Sequence, residues 1–144
     1  MDKNLPDKWV RKAISDVLNN LNVDGEIIKC FDTRVTGSYT PDKYILMTTQ
    51  TNSVDKANKC EWRWESSILL DFFTKYDRSG NTGSRLELDN ILDEAREQLN
   101  TLSLDVLSGL TIVTQTQNYP NDITSVTDNE IVNRKFLRLE LLIN

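Results

Sequence analysis

The sequence predicts an α+β domain: a mostly antiparallel sheet of about four to five strands, flanked by two main helices, in the order α-β-β-β-α-β-β. Two segments carry apolar residues at the three- and four-residue spacing of an amphipathic helix. Several others alternate apolar and polar residues as strands do, and runs of strands separate the helices. At 144 residues the chain has the length of one domain with one core, so residues 1–144 are expected to fold as a single unit.

The first predicted helix covers residues 6–21. Pro6 suits the first helical turn, where its missing N–H has no partner to lose. The Asp24-Gly25 pair is a turn signal that ends the helix. One apolar stripe follows from the spacing of Val10, Ala13, Ile14, Val17, Leu18 and Leu21.

The longest alternating run is residues 60–76, CEWRWESSILLDFFTKY. Most apolar residues fall on its even positions and most charges on its odd positions, as in a strand with one buried face. At ~3.3 Å per residue it spans on the order of 55 Å, several times the usual ~17–20 Å strand. We expect a bulge, a bend or an end that projects toward a neighbouring subunit, which favours an assembly protein.

Four further strands are predicted, at residues 26–31, 43–51, 110–117 and 130–143. The last places its C-terminal residues inside the sheet, because Leu137, Leu139, Leu141 and Ile143 share one face. Polar connectors occupy residues 33–40, 52–59 and 118–129. Polar loops as long as the last are more often functional than accidental in a compact domain.

The second predicted helix follows the polar loop 77–84. Ser84 and Glu87 have the spacing of a capping box at its start. Its buried stripe comprises Leu88, Ile91, Leu92, Ala95 and Leu99. Its outer face is acidic, with Glu87, Asp89, Asp93, Glu94 and Glu97. Such a face is most simply a solvated one, and the alternative is a docking surface for a basic partner.

Composition excludes several classes of protein. The hydrophobic fraction of 38% and charged fraction of 27% are those of an ordinary globular protein. A net charge of −5 argues against general nucleic-acid binding. No apolar run reaches the ~18 residues of a membrane span, and the N-terminus lacks the apolar core of an export signal. Both Cys30 and Cys60 are therefore expected to be reduced rather than paired.

The chemistry of most active sites is missing. The chain has no histidine, which removes the commonest general base and metal ligand. Its five glycines form no phosphate-binding motif, and two cysteines cannot complete a zinc site. Asp89, Asp93 and Glu97 could hold a hard cation, but on a surface helix this spacing usually serves solubility. We predict no catalytic residue, no metal and no cofactor; an enzyme would have to work through Asp, Glu, Lys or Tyr.

Candidate subunit-contact residues lie on the polar side of the long strand. Leu69 and Phe73 stand there beside Asp71, and apolar side chains on an outer strand face suggest a protein contact. The aromatic residues Trp62, Trp64 and Phe72 of the other side are expected in the core, with a subunit interface or a ligand platform as alternatives. The full set of interface candidates is Arg63, Leu69, Asp71, Phe73, Tyr39, Tyr119 and Asp122.

Read in order, the elements resemble the tail-terminator, or tail-completion, family of tailed bacteriophages. The resemblance runs from Lys8 to Ile143 and includes the proline-plus-aromatic start of the second strand, TPDKY at residues 40–44. It is carried by KWVRKAISDVLNNL, EIIKCFDTRVTGSYTPD, KYILMTTQT, CEWRWESSILLDFFTKYDR, LELDNILDEAREQLNTL and LTIVTQTQNYPNDITSVTDNEIVNRKFLRLELLI. The connectors 52–59 and 118–129 are longer than the family pattern, which leaves open which neck ring the chain would form.

The resemblance implies a structural virion protein. Members of that family are small α+β subunits that assemble as rings of six or twelve copies at the head–tail joint, link the portal or connector to the tail, and catalyse nothing. It implies assembly in the host cytoplasm and a final place in the neck or tail of the virion. Its partners would be copies of itself and neighbouring portal, connector and tail proteins, with no membrane and no sequence-specific nucleic acid. The alternative is a soluble, non-catalytic adaptor domain that binds one protein or peptide.

Overall fold

The computed structural model describes residues 5–32, 41–55, 63–77, 85–120, 122–126 and 129–144. Within them the chain forms two α-helices, one 3-10 turn and seven strands. In chain order these are α1 (Asp7–Leu18), β1 (Leu21–Val23), β2 (Glu26–Asp32), β3 (Lys43–Asp55), β4 (Arg63–Asp77), α2 (Leu86–Leu99), the 3-10 turn (Val106–Ser108), β5 (Ile112–Asn118), β6 (Ile123–Val126) and β7 (Glu130–Ile143). None of the described helices is long and apolar enough to cross a membrane.

The predicted sheet of four to five mostly antiparallel strands is wrong. The described strands form one seven-stranded mixed sheet in the order β1-β2-β3-β4-β7-β5, and β6 pairs with β7 on the same side as β5. It is mixed because β2 and β3 run parallel. The element order α-β-β-β-α-β-β is corrected with it, since β1 and β6 are additional strands. With three and four residues, both are too short to produce a readable alternation.

The first missed strand explains why α1 is shorter than predicted. α1 ends at Leu18, and Asn20 adopts a positive φ of 63° before β1 begins. Asp24 and Gly25 then join β1 to β2 with φ of 51° and 85°, the two-residue turn that suits a twisted hairpin. The Asp24-Gly25 pair is therefore a hairpin turn and not the end of the helix. The side chain of Asn22 accepts a hydrogen bond from Gly25 N at 3.1 Å.

The long strand β4 is the centre of the sheet. It runs for 15 residues between β3 and β7, which have 13 and 14. Residues 60–62 of the predicted strand lie outside the described residues. The expected irregularity occurs in the neighbouring strand, where the register of β3 shifts between Met47 and Gln50. Because both neighbours match its length, β4 needs no other subunit to pair its backbone.

Both helices pack on one face of the sheet and contact each other. Alternate residues of β4 and β7 meet the apolar stripes of α1 and α2, and Phe72 and Leu139 are fully buried there. Burial of a side chain of this size contributes about 1.5–3 kcal/mol. The predicted β7, with its inward leucines and isoleucine, is confirmed at residues 130–143.

The predicted capping box at the start of α2 involves Ser84, which lies outside the described residues. The helix begins after Arg85, whose side chain makes no capping hydrogen bond. The Glu87 carboxylate instead accepts a hydrogen bond from the Tyr76 hydroxyl and pairs with Lys43 Nζ at 3.0 Å. Glu87 therefore fixes the start of α2 to β3 and β4.

Candidate functional site

The sheet face turned away from both helices is called here the outer face. It carries stacked aromatic side chains and the buried carboxylate of Asp71. Since Ile68, Leu70 and Phe72 of β4 point to the helices, strand alternation sends the residues between them outward. The backbone register then places Tyr44 of β3, Phe73 of β4 and Arg134 of β7 in one row across three strands.

Three aromatic rings on β2, β3 and β4 contact one another on this face. Phe31 of β2 meets Tyr44 edge to face, with 6.1 Å between ring centroids and 79° between ring planes. Tyr44 stacks on Phe73 at 4.7 Å and 14°. Aromatic pairs in these geometries contribute about 0.5–1.5 kcal/mol each beyond the area that they bury. The contacts join β2, β3 and β4 from the side opposite the core.

Arg134 of β7 contacts two of the aromatic rings and a carboxylate. Its guanidinium carbon lies 4.7 Å from the ring centroid of Phe73 and 5.1 Å from that of Phe136. Its Nη2 donates a hydrogen bond to Asp71 Oδ2 at 2.5 Å. A planar guanidinium can stack on rings and bind a carboxylate at once, which an ammonium group cannot do as well. We call Phe31, Tyr44, Phe73, Arg134 and Phe136 the aromatic patch.

Asp71 lies within the aromatic patch and is 3% exposed. Burial raises the pKa of its carboxyl group above the usual value, while the hydrogen bond and charge of Arg134 oppose that shift. Burial also raises the pKa of the Tyr44 phenol, and the charge of Asp71 acts in the same direction. The Asp71 charge is thus balanced within the patch by Arg134.

Three cations lie at the margin of the aromatic patch although the chain is acidic overall. Lys75 Nζ lies 5.5 Å from the Tyr44 ring centroid. Lys29 is exposed in register with Tyr44, and Arg138 is exposed in register with Leu69. We call Lys29, Lys75 and Arg138 the basic rim. By the same alternation Asp77 and Glu130 lie on the outer face beyond Lys75, so the margin of the aromatic patch carries charges of both signs.

The other end of the outer face is polar. An open groove there is lined by hydroxyl groups and by the carboxylates of Glu65 and Glu140. Asn118 Nδ2 donates a hydrogen bond to Glu140 at 2.9 Å, which joins β5 to β7. The hydroxyl groups that line the groove belong to short side chains, among them Thr51, Ser53, Ser67, Thr114 and Thr116. The outer face is thus divided into an aromatic half and a hydroxyl-rich half.

The structure brings together three of the seven predicted interface residues. Leu69, Asp71 and Phe73 all lie in the aromatic half of the outer face, and Leu69 and Phe73 are half-buried. Arg63 is the first residue of β4 and lies at the opposite end of the sheet. Tyr39 lies outside the described residues.

The remaining two predicted residues, Tyr119 and Asp122, lie beside α2. The guanidinium carbon of Arg96 is 5.3 Å from the Tyr119 ring centroid. The Asp122 carboxylate lies 3.5 Å from Arg85 Nη1 and 3.7 Å from Lys135 Nζ. These contacts join the β5–β6 connection to the helix-bearing side, so neither residue belongs to the aromatic patch.

Reading the sequence missed Tyr44 and Arg134, the partners of Phe73, and Phe136, which Arg134 also contacts. The arginines of β7 look like solvated strand charges when that strand is read alone. A signal is present in the alternation of β7, where Arg134, Phe136 and Arg138 occupy the positions between its buried residues. Only the pairing of β7 with β4 shows that Arg134 meets Phe73 and Asp71.

Two further observations concern reactive groups. Cys30 is a free, buried cysteine on the core side of β2, and burial raises the pKa of its thiol to about 12. It is therefore held as a neutral thiol. Within the described ranges, no group of three or more Cys, Asp or Glu side chains is arranged to hold a metal ion.

Comparison with known proteins identifies a shared fold. No protein-family model and no curated protein matches the sequence. A chain from the solved virion of a native gene transfer agent particle has a similar structure, with a TM-score of 0.53 and 8% sequence identity. The match covers 94% of this chain and 92% of that one. At this identity the similarity is one of fold, and it extends over nearly the whole of both chains.

Proposed function

We propose that the protein is a structural virion subunit, and specifically a tail-terminator or tail-completion protein that forms a ring at the head–tail joint of a tailed-phage-like particle. The observation that carries the proposal is the fold shared with a virion chain over 94% of this protein and 92% of its counterpart. Because both chains are matched almost completely, the similarity concerns the whole subunit rather than one common motif. The resemblance of its elements to the tail-terminator family supports the same role.

The aromatic patch supplies a surface of the kind that such a subunit needs. Protein interfaces are enriched in aromatic residues and arginine at their centres, with polar groups around them. Here Tyr44, Phe73 and Phe136 accompany Arg134, and the charged side chains of the basic rim lie beside them. A closed ring is built from heterologous contacts, in which one surface of a subunit binds a different surface of the next.

The proposed ring has partners on both of its faces and a defined location in the particle. In the particle the ring would lie between the portal or connector and the tail, with one of its faces on each. Its mature location would be the neck or tail of the virion, following assembly in the host cytoplasm. No catalytic step is required, since the function consists of binding its own copies and the two neighbouring layers.

The test is the mass of the purified protein in solution, measured by light scattering over a concentration series, with negative-stain images of the largest species. We expect a closed ring for the natural sequence and loss of the ring for Leu69→Lys, which adds a cation beside the basic rim. Thr116→Lys is the matched control, because it adds the same charge to the polar half of the same face. Circular dichroism and urea unfolding verify that both variants fold.

The result that contradicts the proposal is a protein that stays monomeric up to its solubility limit and is indifferent to Leu69→Lys. That behaviour is expected of the alternative function, a soluble adaptor domain that binds a single protein or peptide. The symmetry of a ring, if it forms, gives the copy number directly from averaged top views.

A further inference from the structure

The two ends of the sheet are bounded by different kinds of edge. At the aromatic half the outermost strands are β1 and β6, with three and four residues, and very short edge strands resist pairing with other chains. At the hydroxyl-rich half the outermost strands are β5 and the later part of β3, because the pairing of β2 with β3 ends at Met47. Within the described ranges no strand pairs with residues 50–55 of β3 on that side, or with residues 114–118 of β5 on the side away from β7. We call these two segments the open edges.

The open edges lack the features that usually protect an exposed strand. Residues 106–121 and 44–54 are the two longest stretches of the sequence without Asp, Glu, Lys or Arg, although these residues make up 27% of the chain. The first stretch contains all of β5, and the second contains the open edge of β3 except its last residue. Neither open edge contains proline, and the register shifts of β3 and β5 precede the open edges. Long, uncharged, regular edges favour pairing with another strand.

The strand directions favour a second copy of this chain as the partner. In the order β3-β4-β7-β5 each strand is antiparallel to the next, so β5 runs opposite to β3. A second copy placed beside β5, with the same end up and the same face outward, brings its β3 antiparallel to β5. Antiparallel pairing is slightly more stable per residue than parallel pairing. The step can be repeated from copy to copy, which is the heterologous contact that a ring requires.

The outer-face side chains of the two open edges also match. One row runs from Thr51 on β3 across β4 and β7 to Thr116 on β5, and the next row runs from Ser53 to Thr114. When the rows continue into the next copy without a step, Thr116 faces Thr51 and Thr114 faces Ser53. All four side chains are exposed in the single chain. Cross-strand pairs of Thr with Thr or Ser stabilise a sheet through hydrogen bonds.

The same register brings amide side chains together on the helix-bearing side. Gln115 faces Asn52 of the next copy, and Gln117 faces Gln50. Pairing of β5 with β5 of a second copy is antiparallel as well, but it ends at a dimer and leaves the open edge of β3 uncovered in both copies. Pairing of β5 with β3 covers both kinds of open edge, so it is the arrangement that the two edges favour.

We propose that the open edge of β5 in one subunit pairs with the open edge of β3 in the next copy of this chain, so that the sheet continues from subunit to subunit. This inference rests on the proposed ring and names the backbone edges that meet in it. The contact lies in the hydroxyl-rich half, away from the aromatic patch, so that one subunit can use both surfaces.

The first experiment places charges opposite each other across the contact. Thr51→Lys and Thr116→Lys should each leave the ring largely intact, because either lysine alone faces a hydroxyl group. The double variant Thr51→Lys with Thr116→Lys puts like charges directly opposite in every contact. We expect it to raise the protein concentration at which half of the chains are in rings by about fivefold or more, measured by light scattering.

The matched control for the double-lysine variant is Thr51→Glu with Thr116→Lys, which puts opposite charges at the same two positions. Its rings should form at a concentration close to that of the natural protein. Comparison with the single variants, Thr51→Glu included, removes the effect of each charge on its own subunit and isolates the interaction between the two positions.

The second experiment traps the contact as a disulfide. In a Cys60→Ser background, Thr51→Cys and Thr116→Cys proteins are mixed and oxidised with diamide. Directly opposite residues of an antiparallel pair have Cα atoms about 4.5–5.5 Å apart, a separation that a disulfide spans. A linked heterodimer is expected in high yield, whereas Ser125→Cys on the exposed strand β6 should give little with Thr51→Cys. Buried Cys30 is the one natural thiol left in this background.

The outcomes separate this inference from the proposed function. A ring that is indifferent to the charge pair and yields no cross-link overturns the edge pairing and leaves the ring proposal standing. A linked homodimer of Thr116→Cys in place of the heterodimer overturns it in favour of pairing between two β5 strands. Absence of both a ring and the cross-link contradicts both proposals. The heterodimer cross-link in a protein that forms no closed ring supports the contact and counts against the ring.

Discussion

Asp71 on β4 and Arg134 on β7 form an ion pair on the outer face of the sheet, with 2.5 Å between Oδ2 and Nη2. The partners differ in access to water: Asp71 is 3% exposed, whereas the Arg134 side chain is 33% exposed. Solvent therefore reaches the guanidinium of Arg134, while the carboxylate of Asp71 holds it in place from beneath.

Arg134→Met is expected to lower the free energy of unfolding by about 2–3 kcal/mol at neutral pH, because it leaves the Asp71 carboxylate buried without its cation. The folded-state pKa of Asp71 already lies above its unfolded value of 3.8, since burial outweighs Arg134. A raised folded pKa stabilises the folded state at low pH, and this contribution is lost as pH rises through the folded pKa. Without Arg134 the pKa rises further, so the defect of Arg134→Met should shrink in acid. Urea unfolding of the natural protein and of Arg134→Met, from neutral to acidic pH, measures this difference in the free energy of unfolding.

The matched control for this prediction is the double variant Asp71→Asn with Arg134→Met. It removes the buried charge together with its partner, so most of the loss should be recovered and the acid dependence should disappear. Equal instability of the single and double variants at every pH would contradict the role given to the pair.

Leu139→Ala is expected to cost about 3 kcal/mol, because Leu139 is fully buried between β7 and the helices and its truncation leaves a cavity. Leu142→Ala, on the same strand but on the outer face, should cost much less because Leu142 is only half-buried. Thermal unfolding of the two variants compares the two faces of β7 directly. Equal losses would show that the outer face is packed as tightly as the core.

Tyr76→Phe tests the contact between β4 and α2. Burial, with a smaller contribution from the hydrogen bond to Glu87, raises the pKa of Tyr76 from 10.0 to about 12. The stability from this shift is fully present below the unfolded pKa of 10.0 and is lost as pH rises through about 12. We expect Tyr76→Phe to lose about 1 kcal/mol at neutral pH, a figure kept small by solvent screening, and to lose less as pH rises through this window.

The companion variant for Tyr76→Phe is Glu87→Gln. It keeps the phenol but removes the charge that opposes its ionisation, so the pKa of Tyr76 should fall toward 10.0. Phenolate absorbance during an alkaline titration measures this pKa. No change in the titration would show that Glu87 does not act on Tyr76.

Gly109→Ala is expected to destabilise the protein by about 1 kcal/mol, because a Cβ is strained at a φ of 68°. An added Cβ there meets no atom within 4 Å, so the cost comes from the backbone rather than from a clash. Ser103→Ala, an exposed change in the same connection, should be neutral. Urea unfolding measures the stability of both variants. An unchanged midpoint for Gly109→Ala would show that the turn accepts a Cβ without loss of stability.

Long, regular elements were the ones that the sequence predicted well. The alternation of β7 gave its bounds and its buried face, and the alternation of β4 separated Phe72 from Phe73 correctly. The failures concern β1 and β6, whose few residues carry no period, and the Asp24-Gly25 pair, whose turn signal fits both a helix end and a hairpin. Asp24-Gly25 could be assigned only once β1 was known to pair with β2.

The sequence by itself determined which side chains alternate along each strand, because side-chain direction in a strand follows from local backbone geometry. That local rule was sufficient to place Leu69, Asp71 and Phe73 on one outer face. Tertiary structure alone decided that β2 runs parallel to β3 and that β7 lies beside β4. Strand pairing depends on contacts between residues far apart in the chain, and the meeting of Arg134 with Asp71 is a consequence of that pairing.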